Sequence, residues 1–288
     1  HLPSPLPLHD LSTIISHSIV DSCAIVFNAL LLAAVLLRSP KTLKSYTVLL
    51  VNSIIMDLVS TTSMLLAMTR LVYMYAELTI AKGPDIISSF CTLSHSSTTL
   101  SMATISQSLF LIASSFGYRL YVLGRPAPSS NTIIFICMLI SVPNIVILTT
   151  FTFALDNSED VRSELRLIRP EYKLDDYVLE GHVSIFNFFT MFTILAMTQP
   201  IGPTLVAIFI VRRKVLTLQS LLPIFFSGAV VSYGVCQFDL MCSPVQEHFI
   251  MESVSFMPMV APLITLYCVK PYKDFVVSLV RCDFRRLR

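Results

Sequence analysis

The stretch from Ser94 to Pro128, SHSSTTLSMATISQSLFLIASSFGYRLYVLGRPAP, decides the fold. It carries no charge from His95 to Gly117, which is about 23 residues or roughly 34 Å of helix, enough to cross a bilayer. Hydroxyl residues recur along it at steps of three or four and define one polar face. The hydroxyl residues of this face are Ser94, Ser97/Thr98, Ser101, Thr104, Ser108 and Ser115, and the apolar Ile112 occupies the one remaining position in the series. Because such a face packs against protein or water, we predict the central helix of a membrane bundle.

Composition also indicates a membrane protein. Apolar residues make up 54% of the 288 residues and charged residues 13%, whereas soluble proteins carry about 25% charged residues. We predict an all-α membrane protein with one domain over residues 1–288, a seven-helix transmembrane bundle. The predicted spans are 12–37, 46–68, 94–117, 132–153, 183–211, 216–238 and 249–269, with span four interrupted at Pro143 and a tail over 273–288.

The distribution of basic residues predicts the orientation. Of the 20 Lys and Arg residues, 14 follow spans one, three, five and seven, and these segments hold only two acids, Asp274 and Asp283. Since positive residues concentrate on the cytoplasmic side of membrane proteins, we predict the N-terminus outside and the C-terminus inside. The segments Thr69–Phe90 and Ala154–His182 are then outer loops.

Asp57 lies in the middle of span two, where an ionised carboxylate costs about 2.5–3.5 kcal/mol on insertion scales. Ser53 lies one turn earlier on the same face, and Ser60 and Thr61 lie one turn later. Asn28 is a second polar residue, in the middle of span one. We interpret Asp57, Ser53 and Asn28 as an interior polar hub that shifts between conformations. The alternative is a structural role in which they only hold helices together.

Polar residues near the outer ends of the spans are candidates for contact with a small molecule. The candidates are Ser94, Ser97, Ser101 and Glu252. Glu252 lies just inside the outer end of span seven, and Asp21 is a further candidate near the outer end of span one. The alternatives are a carboxylate that reaches water and serines that pack helices together.

The sequence lacks the motifs of the common enzyme classes. It contains neither a Gly-x-Ser-x-Gly nucleophile motif nor a phosphate-binding glycine-rich loop, and its cysteines lack the spacing of zinc ligands. We therefore expect no catalytic residues, no cofactor and no metal centre. The basic tail lacks the interleaved aromatic residues that are typical of nucleic-acid binding, so we expect no nucleic-acid partner.

The C-terminal segment KPYKDFVVSLVRCDFRRLR predicts an amphipathic helix. Its apolar face comprises Phe275, Val276, Leu279 and Val280. Because Lys273, Arg281 and Arg285 flank this face, we expect the helix to lie on the anionic inner leaflet. Cys282 within it is a candidate for palmitoylation.

Four segments resemble one family. They are LLRSPKTLKSYTVLLVNSIIMDL after span one, SFGYRLYVLGRPAP after span three, QSLLPIFF in span six and PMVAPLITLYCVKPYKDFV at the end. In this order they resemble nematode serpentine chemoreceptors of the delta class, which are similar to G-protein-coupled receptors. The resemblance implies a receptor for a small environmental chemical in the plasma membrane of sensory-neuron cilia, with a heterotrimeric G protein as its cytoplasmic partner.

The resemblance also implies roles for single residues. Tyr118-Arg119 occupies the place where receptors of the rhodopsin type keep an acid-arginine pair that faces the G protein, and here no acid precedes the arginine. Pro271-Tyr272 is similar to the proline–tyrosine motif of helix seven in those receptors. The usual disulfide of helix three would start at Cys91, and Cys242 is its candidate partner because Ala154–His182 contains no cysteine.

One segment departs from the pattern of such receptors. Between spans five and six only Arg212–Val215 is clearly cytoplasmic, whereas a receptor of this type is expected to have a longer basic loop. A receptor relic that folds without coupling is therefore one alternative. A small transporter or channel is another, because a polar interior and proline-broken helices would serve it too.

Overall fold

The computed structural model describes residues 8–40, 44–67, 69–74, 77–82, 91–154, 156–168, 178–182, 187–198 and 244–281, with a few isolated positions between 202 and 235. Its elements in chain order are α1 (Leu8–Arg38), α2 (Lys44–Ala67), β1 (Thr69–Met74), β2 (Glu77–Lys82), α3 (Cys91–Gly124), α4 (Ser130–Ala154), α5 (Ser158–Ile168), β3 (Val178–His182), α6 (Phe188–Thr198), α7 (Pro244–Cys268) and α8 (Lys270–Val280).

Two contacts bring basic segments of the chain together at one end of the bundle. At the start of α2, the Ser45 hydroxyl donates a hydrogen bond of 2.6 Å to the carbonyl of Pro128, just before α4. The Ser39 hydroxyl, just after α1, forms a hydrogen bond of 2.9 Å with the Tyr272 hydroxyl of α8. We call this end the basic end. Its described basic residues include Arg38, Lys44, Arg119, Arg125, Lys270 and Lys273.

The third helix lies at the centre of the described bundle, as the hydroxyl face predicts. Residues 103–109 are buried without interruption, and α3 contacts α2, α4 and α6. The helix does not end near Gly117, as the sequence predicts, but continues to Gly124. It ends where Arg125 precedes Pro126, because a residue before proline disfavours the helical conformation. Tyr118 and Arg119 therefore lie on the helix itself.

The predicted interruption of span four is wrong, because α4 continues through Pro143. Proline removes the hydrogen bond that would reach the carbonyl of Leu139. The Pro143 side chain is exposed on the surface of the bundle, so its ring does not separate packed helices. Membrane helices tolerate such a position where the helix can adjust locally.

The two predicted outer loops contain a three-stranded antiparallel sheet of order β1-β2-β3. In the first pair Thr69 lies opposite Lys82, and in the second Leu78 lies opposite His182. Strand β1 follows α2 and packs against α7, so the sheet covers the opposite end of the bundle. We call this end the sheet end.

The short helix α5 joins the sheet end through an amphipathic face. The helix begins after Asn157, whose backbone carbonyl accepts hydrogen bonds from the backbone N–H groups of Asp160 and Val161. Val161 and Leu165, one turn apart, are fully buried, whereas the acidic first turn is exposed. Through this apolar face α5 packs at the sheet end, in contact with β3.

The C-terminal part of the described chain bends sharply. The axes of α7 and α8 differ by 95°, and α8 places Tyr272 and Phe275 in the core between α1 and α2. The sequence predicts a helix here; Phe275 of its predicted apolar face lies in the core, whereas Leu279 and Val280 of the same face are exposed. Contact of α8 with the inner leaflet stays a prediction.

Three helices of the described chain are long and apolar enough to cross a membrane, or four if the bent pair α7–α8 counts as one span. The three are Ile14–Arg38, Lys44–Leu65 and Ser130–Phe153, close to the predicted spans one, two and four. Most of the predicted spans 183–211 and 216–238 lies outside the described residues. The fold is thus a helical membrane bundle, and the full count of seven spans stays a prediction at this point.

Candidate functional site

The Asp57 carboxylate is buried between α2 and α3. It is 7% exposed, and Ser108 of α3 donates a hydrogen bond of 2.8 Å to its Oδ1 atom. Thr61, predicted as a neighbour, is bonded to the backbone carbonyl of Asp57 instead of the carboxylate. The donor to the carboxylate thus comes from the polar face of α3 and not from α2 itself, so this contact joins two helices.

Asn28 joins α1 to α7 and is fully buried. Its Nδ2 atom donates hydrogen bonds to the carbonyl of Ala24, at 2.9 Å, and to the carbonyl of Pro258 in α7, at 2.8 Å. The second bond has a simple cause. Pro262 has no N–H group, so the carbonyl of Pro258 lacks its usual donor four residues later. Asn28 supplies this donor from another helix.

An arginine–tyrosine cluster lies between α2 and α3 at the basic end of the bundle. The Arg119 guanidinium donates a hydrogen bond to the Tyr46 hydroxyl and lies 5.2 Å from the centre of the Tyr46 ring. The rings of Tyr46 and Tyr118 stack with their centres 5.6 Å apart. Tyr46 is buried, so a planar guanidinium is held against an aromatic residue that is largely removed from water.

Directly beside this cluster lies a small cavity of about 60 Å³, enough for a few water molecules. It lies between α2, α3 and α7, and Tyr46 forms part of its wall. Hydroxyl groups of Ser53, Ser115 and Thr265 line it among apolar side chains. Ser53 is one turn from Asp57, so the cavity extends from near the Asp57 contact towards the basic end.

At the sheet end, Glu252 of α7 accepts a hydrogen bond from the Ser16 hydroxyl of α1. Glu252 is partly exposed. One turn further into the bundle, Asp21 of α1 is 1% exposed and lies beside Ser255 of α7. The two carboxylates therefore flank the same seam between α1 and α7.

Several predicted site residues lie outside the described residues or have side chains that are not described. Ser94, Ser97, Ser101 and Cys91 are placed only by the backbone of α3, near its start at the sheet end. Cys242 and Cys282 lie outside the described residues, so the disulfide and the palmitoylation site stay predictions from the sequence.

Among the described candidates, the structure brings together pairs that the sequence did not pair. Asp57 meets Ser108, Asn28 meets the Pro258 carbonyl, and Arg119 meets Tyr46. Ser53 lies on the predicted face but lines the cavity and does not bond the Asp57 carboxylate. Tyr46 was missed, because a tyrosine at the end of a span is usually read as an interfacial anchor.

The chain matches the family model described as serpentine type 7TM GPCR chemoreceptor Srd over residues 13–218 and 214–278. The chain belongs to this family. Similar proteins from Caenorhabditis elegans include serpentine receptor class delta-19, which is 28% identical over 90% of this chain and 85% of its own length. Serpentine receptor class delta-3 is 28% identical over 89% and 84%. Serpentine receptor class delta-18 is 27% identical over 90% and 86%.

Family membership confirms the resemblance and identifies a multi-pass membrane protein of a chemoreceptor family. The match to the serpentine model falls into two parts that meet at residues 214–218. This junction adjoins the short connection Arg212–Val215 between predicted spans five and six. The similarity to the family therefore covers both sides of the short connection that departs from the expected pattern.

Proposed function

We propose that this serpentine receptor detects a small environmental chemical at its sheet end and signals to a heterotrimeric G protein at its basic end. The sheet end would face the outside and the basic end the cytoplasm, in the plasma membrane of sensory cilia. The family supports the receptor class, and the concentration of 14 of the 20 basic residues in alternate connections supports the orientation.

The contact between Arg119 and Tyr46 is the observation that carries the proposal. The guanidinium is engaged within the bundle, and its fork of donors is suited to backbone carbonyls of a partner protein. A G protein therefore competes with Tyr46 for the same donors. Release of Arg119 from Tyr46 is the conformational step that would prepare the basic end for coupling.

Two contacts between the same helices connect this step to the interior. Asp57–Ser108 and Tyr46–Arg119 both join α2 to α3, one in the middle of the bundle and one at the basic end. A displacement of α3 along α2 would change both contacts at once. The small cavity between them gives the side chains room to rearrange.

The proposed ligand contacts lie at the other end of the same helices. Ser94, Ser97 and Ser101 occupy the first three turns of α3, and Glu252 lies in α7. A ligand that prefers one arrangement of α3 against its neighbours would shift the population of conformations by its difference in affinity.

The test uses basal nucleotide exchange, so it needs no identified ligand. Membranes that contain the full chain with one Gα class at a time are assayed for binding of a non-hydrolysable GTP analogue. Tyr46→Phe removes the hydroxyl acceptor and keeps the ring, so we expect basal exchange to rise several-fold with one Gα class. Arg119→Lys preserves charge but not the planar fork and should remove this rise in the double variant.

Arg125→Lys is the matched control, since Arg125 lies after α3 and stacks over the exposed Tyr121. It should leave exchange unchanged. The coupling role is wrong if Tyr46→Phe/Arg119→Lys reaches the cell surface and exchanges nucleotide as fast as Tyr46→Phe alone.

A further inference from the structure

The seam between α1 and α7 contains buried oxygen atoms that lack hydrogen-bond donors. Asp21 is 1% exposed, and neither of its carboxylate oxygens has a hydrogen-bond partner among the residues that the structure describes. Ser255 faces it across the seam. The Ser255 hydroxyl is 99% buried and lacks a hydrogen bond within the same described ranges. A buried carboxylate in this setting requires either a counter-charge or a proton.

The backbone of α7 adds an acceptor at the same level. Pro258 has no N–H group, so it cannot donate to the carbonyl of Val254, the residue before Ser255. One turn further into the bundle the equivalent carbonyl, that of Pro258, receives its donor from Asn28. Asp21 of α1 lies beside Ser255, the residue that follows Val254, and its side chain has only acceptors when it is ionised.

We propose that Asp21, Ser255 and the Val254 carbonyl bind a small monovalent cation, Na⁺, between α1 and α7. The ligands are hard oxygen atoms, which such cations prefer. One cation neutralises the single buried charge and satisfies several acceptors together. A proton on Asp21 would neutralise the charge but would provide only one additional donor.

Glu252 provides the approach to this site from the sheet end. It lies one turn outward from Ser255 on α7, it is partly exposed, and it is held by Ser16 of α1. A carboxylate at the mouth of a buried carboxylate attracts cations from solution. Occupation of the site would hold α1 against α7, since both helices contribute ligands.

Asp57 is a second buried carboxylate, and its own response to Na⁺ would obscure the response of Asp21. The experiment therefore uses the full chain with Asp57→Asn in detergent, and compares its Tm in 150 mM NaCl with that in 150 mM choline chloride. His17 lies one turn outward from Asp21, so the pH is set to 8, where an ordinary histidine is neutral. We expect NaCl to raise the Tm by about 3 °C.

Three further variants in the same background locate the effect. Asp21→Asn should abolish the difference between NaCl and choline chloride, and Ser255→Ala should reduce it. Asp274→Asn removes an exposed acid of α8 and should leave it unchanged. Equal Tm values in the two salts for Asp57→Asn, or an undiminished difference after Asp21→Asn, would overturn the proposal. If Asp21→Asn fails to fold, Ser255→Ala alone decides, and an undiminished difference there overturns it as well.

Discussion

Asp57 and Asp21 are both buried carboxylates on neighbouring membrane helices, yet their surroundings differ. Asp57 receives a hydrogen bond of 2.8 Å from Ser108. Asp21 faces the Ser255 hydroxyl across the seam, but no donor among the described residues lies within hydrogen-bond distance of its oxygen atoms. Asp57 is slightly more exposed, at 7% against 1% for Asp21. Both carboxylates are therefore buried, and they differ in the hydrogen bonds that the protein supplies to them.

The difference separates two uses of a buried acid. A carboxylate with a donor from another helix links the two helices, and its contact breaks or forms when they move. A carboxylate without donors keeps its acceptors available for something that the chain itself does not supply. The α2–α3 contact thus suits a conformational hub, and the α1–α7 seam suits a binding site.

Ser108→Ala is expected to have the largest effect, because it makes Asp57 resemble Asp21. Loss of the donor leaves a buried carboxylate without a hydrogen bond, which should lower the free energy of unfolding by about 2 kcal/mol. This loss is larger than the average for a hydrogen bond within a membrane protein, because the acceptor is charged. The measurement is thermal unfolding of the purified chain in detergent. Asp57→Asn in the same chain should recover part of the loss.

Ser106→Ala is the matched control for this substitution. Ser106 is fully buried two residues away on α3, and its hydroxyl lacks a hydrogen-bond partner within the described residues. Its removal should be neutral or slightly stabilising. Equal losses for Ser106→Ala and Ser108→Ala would mean that packing, and not the donor to Asp57, sets the cost.

Asn28→Ala is expected to have a smaller effect, about 1 kcal/mol, because it leaves a neutral carbonyl without a donor. The double-mutant cycle with Pro262→Ala tests the reason. Alanine restores an N–H group at position 262, which can then donate to the Pro258 carbonyl within α7. The cost of Asn28→Ala should therefore fall in the Pro262→Ala chain, again by thermal unfolding. Strictly additive losses would contradict the role given to Asn28.

The sequence was sufficient for the helical membrane class, for the family and for the central position of α3. These follow from composition, from the four segments that resemble the family and from the hydroxyl face, and each depends on residues that are close together in the chain. Asp57 and Asn28 were identified as interior polar residues because they lie in the middle of apolar spans. Their partners were not, since Ser108 and Pro258 come from other helices, and only packing brings them close.

Two local predictions from the sequence are wrong for identifiable reasons. The uncharged run predicts that α3 ends near Gly117, but a helix ends at a backbone signal, here Pro126, and continues through an arginine. The strands β1 and β2 are predicted as a loop because they connect two spans. The segment TRLVYM is nevertheless rich in β-forming residues, and ELTIAK contains Thr79 and Ile80. Pairing with β3, about a hundred residues away, is not readable from either segment.

The comparison of the two acids is sharpest for Asp57→Asn, where the expected effect on stability is smallest. Asparagine keeps an oxygen that accepts from Ser108, so the unfolding free energy should change by no more than about 0.5 kcal/mol and surface expression should stay within a few-fold. Signalling should change nonetheless, because the hub loses its charge. This loss changes the relative populations of the two arrangements of α2 and α3. The readout is basal nucleotide exchange at several NaCl concentrations. If exchange by Asp57→Asn equals that of the parent at every concentration, Asp57 serves packing alone, and the α2–α3 contact is a structural bond with no part in switching.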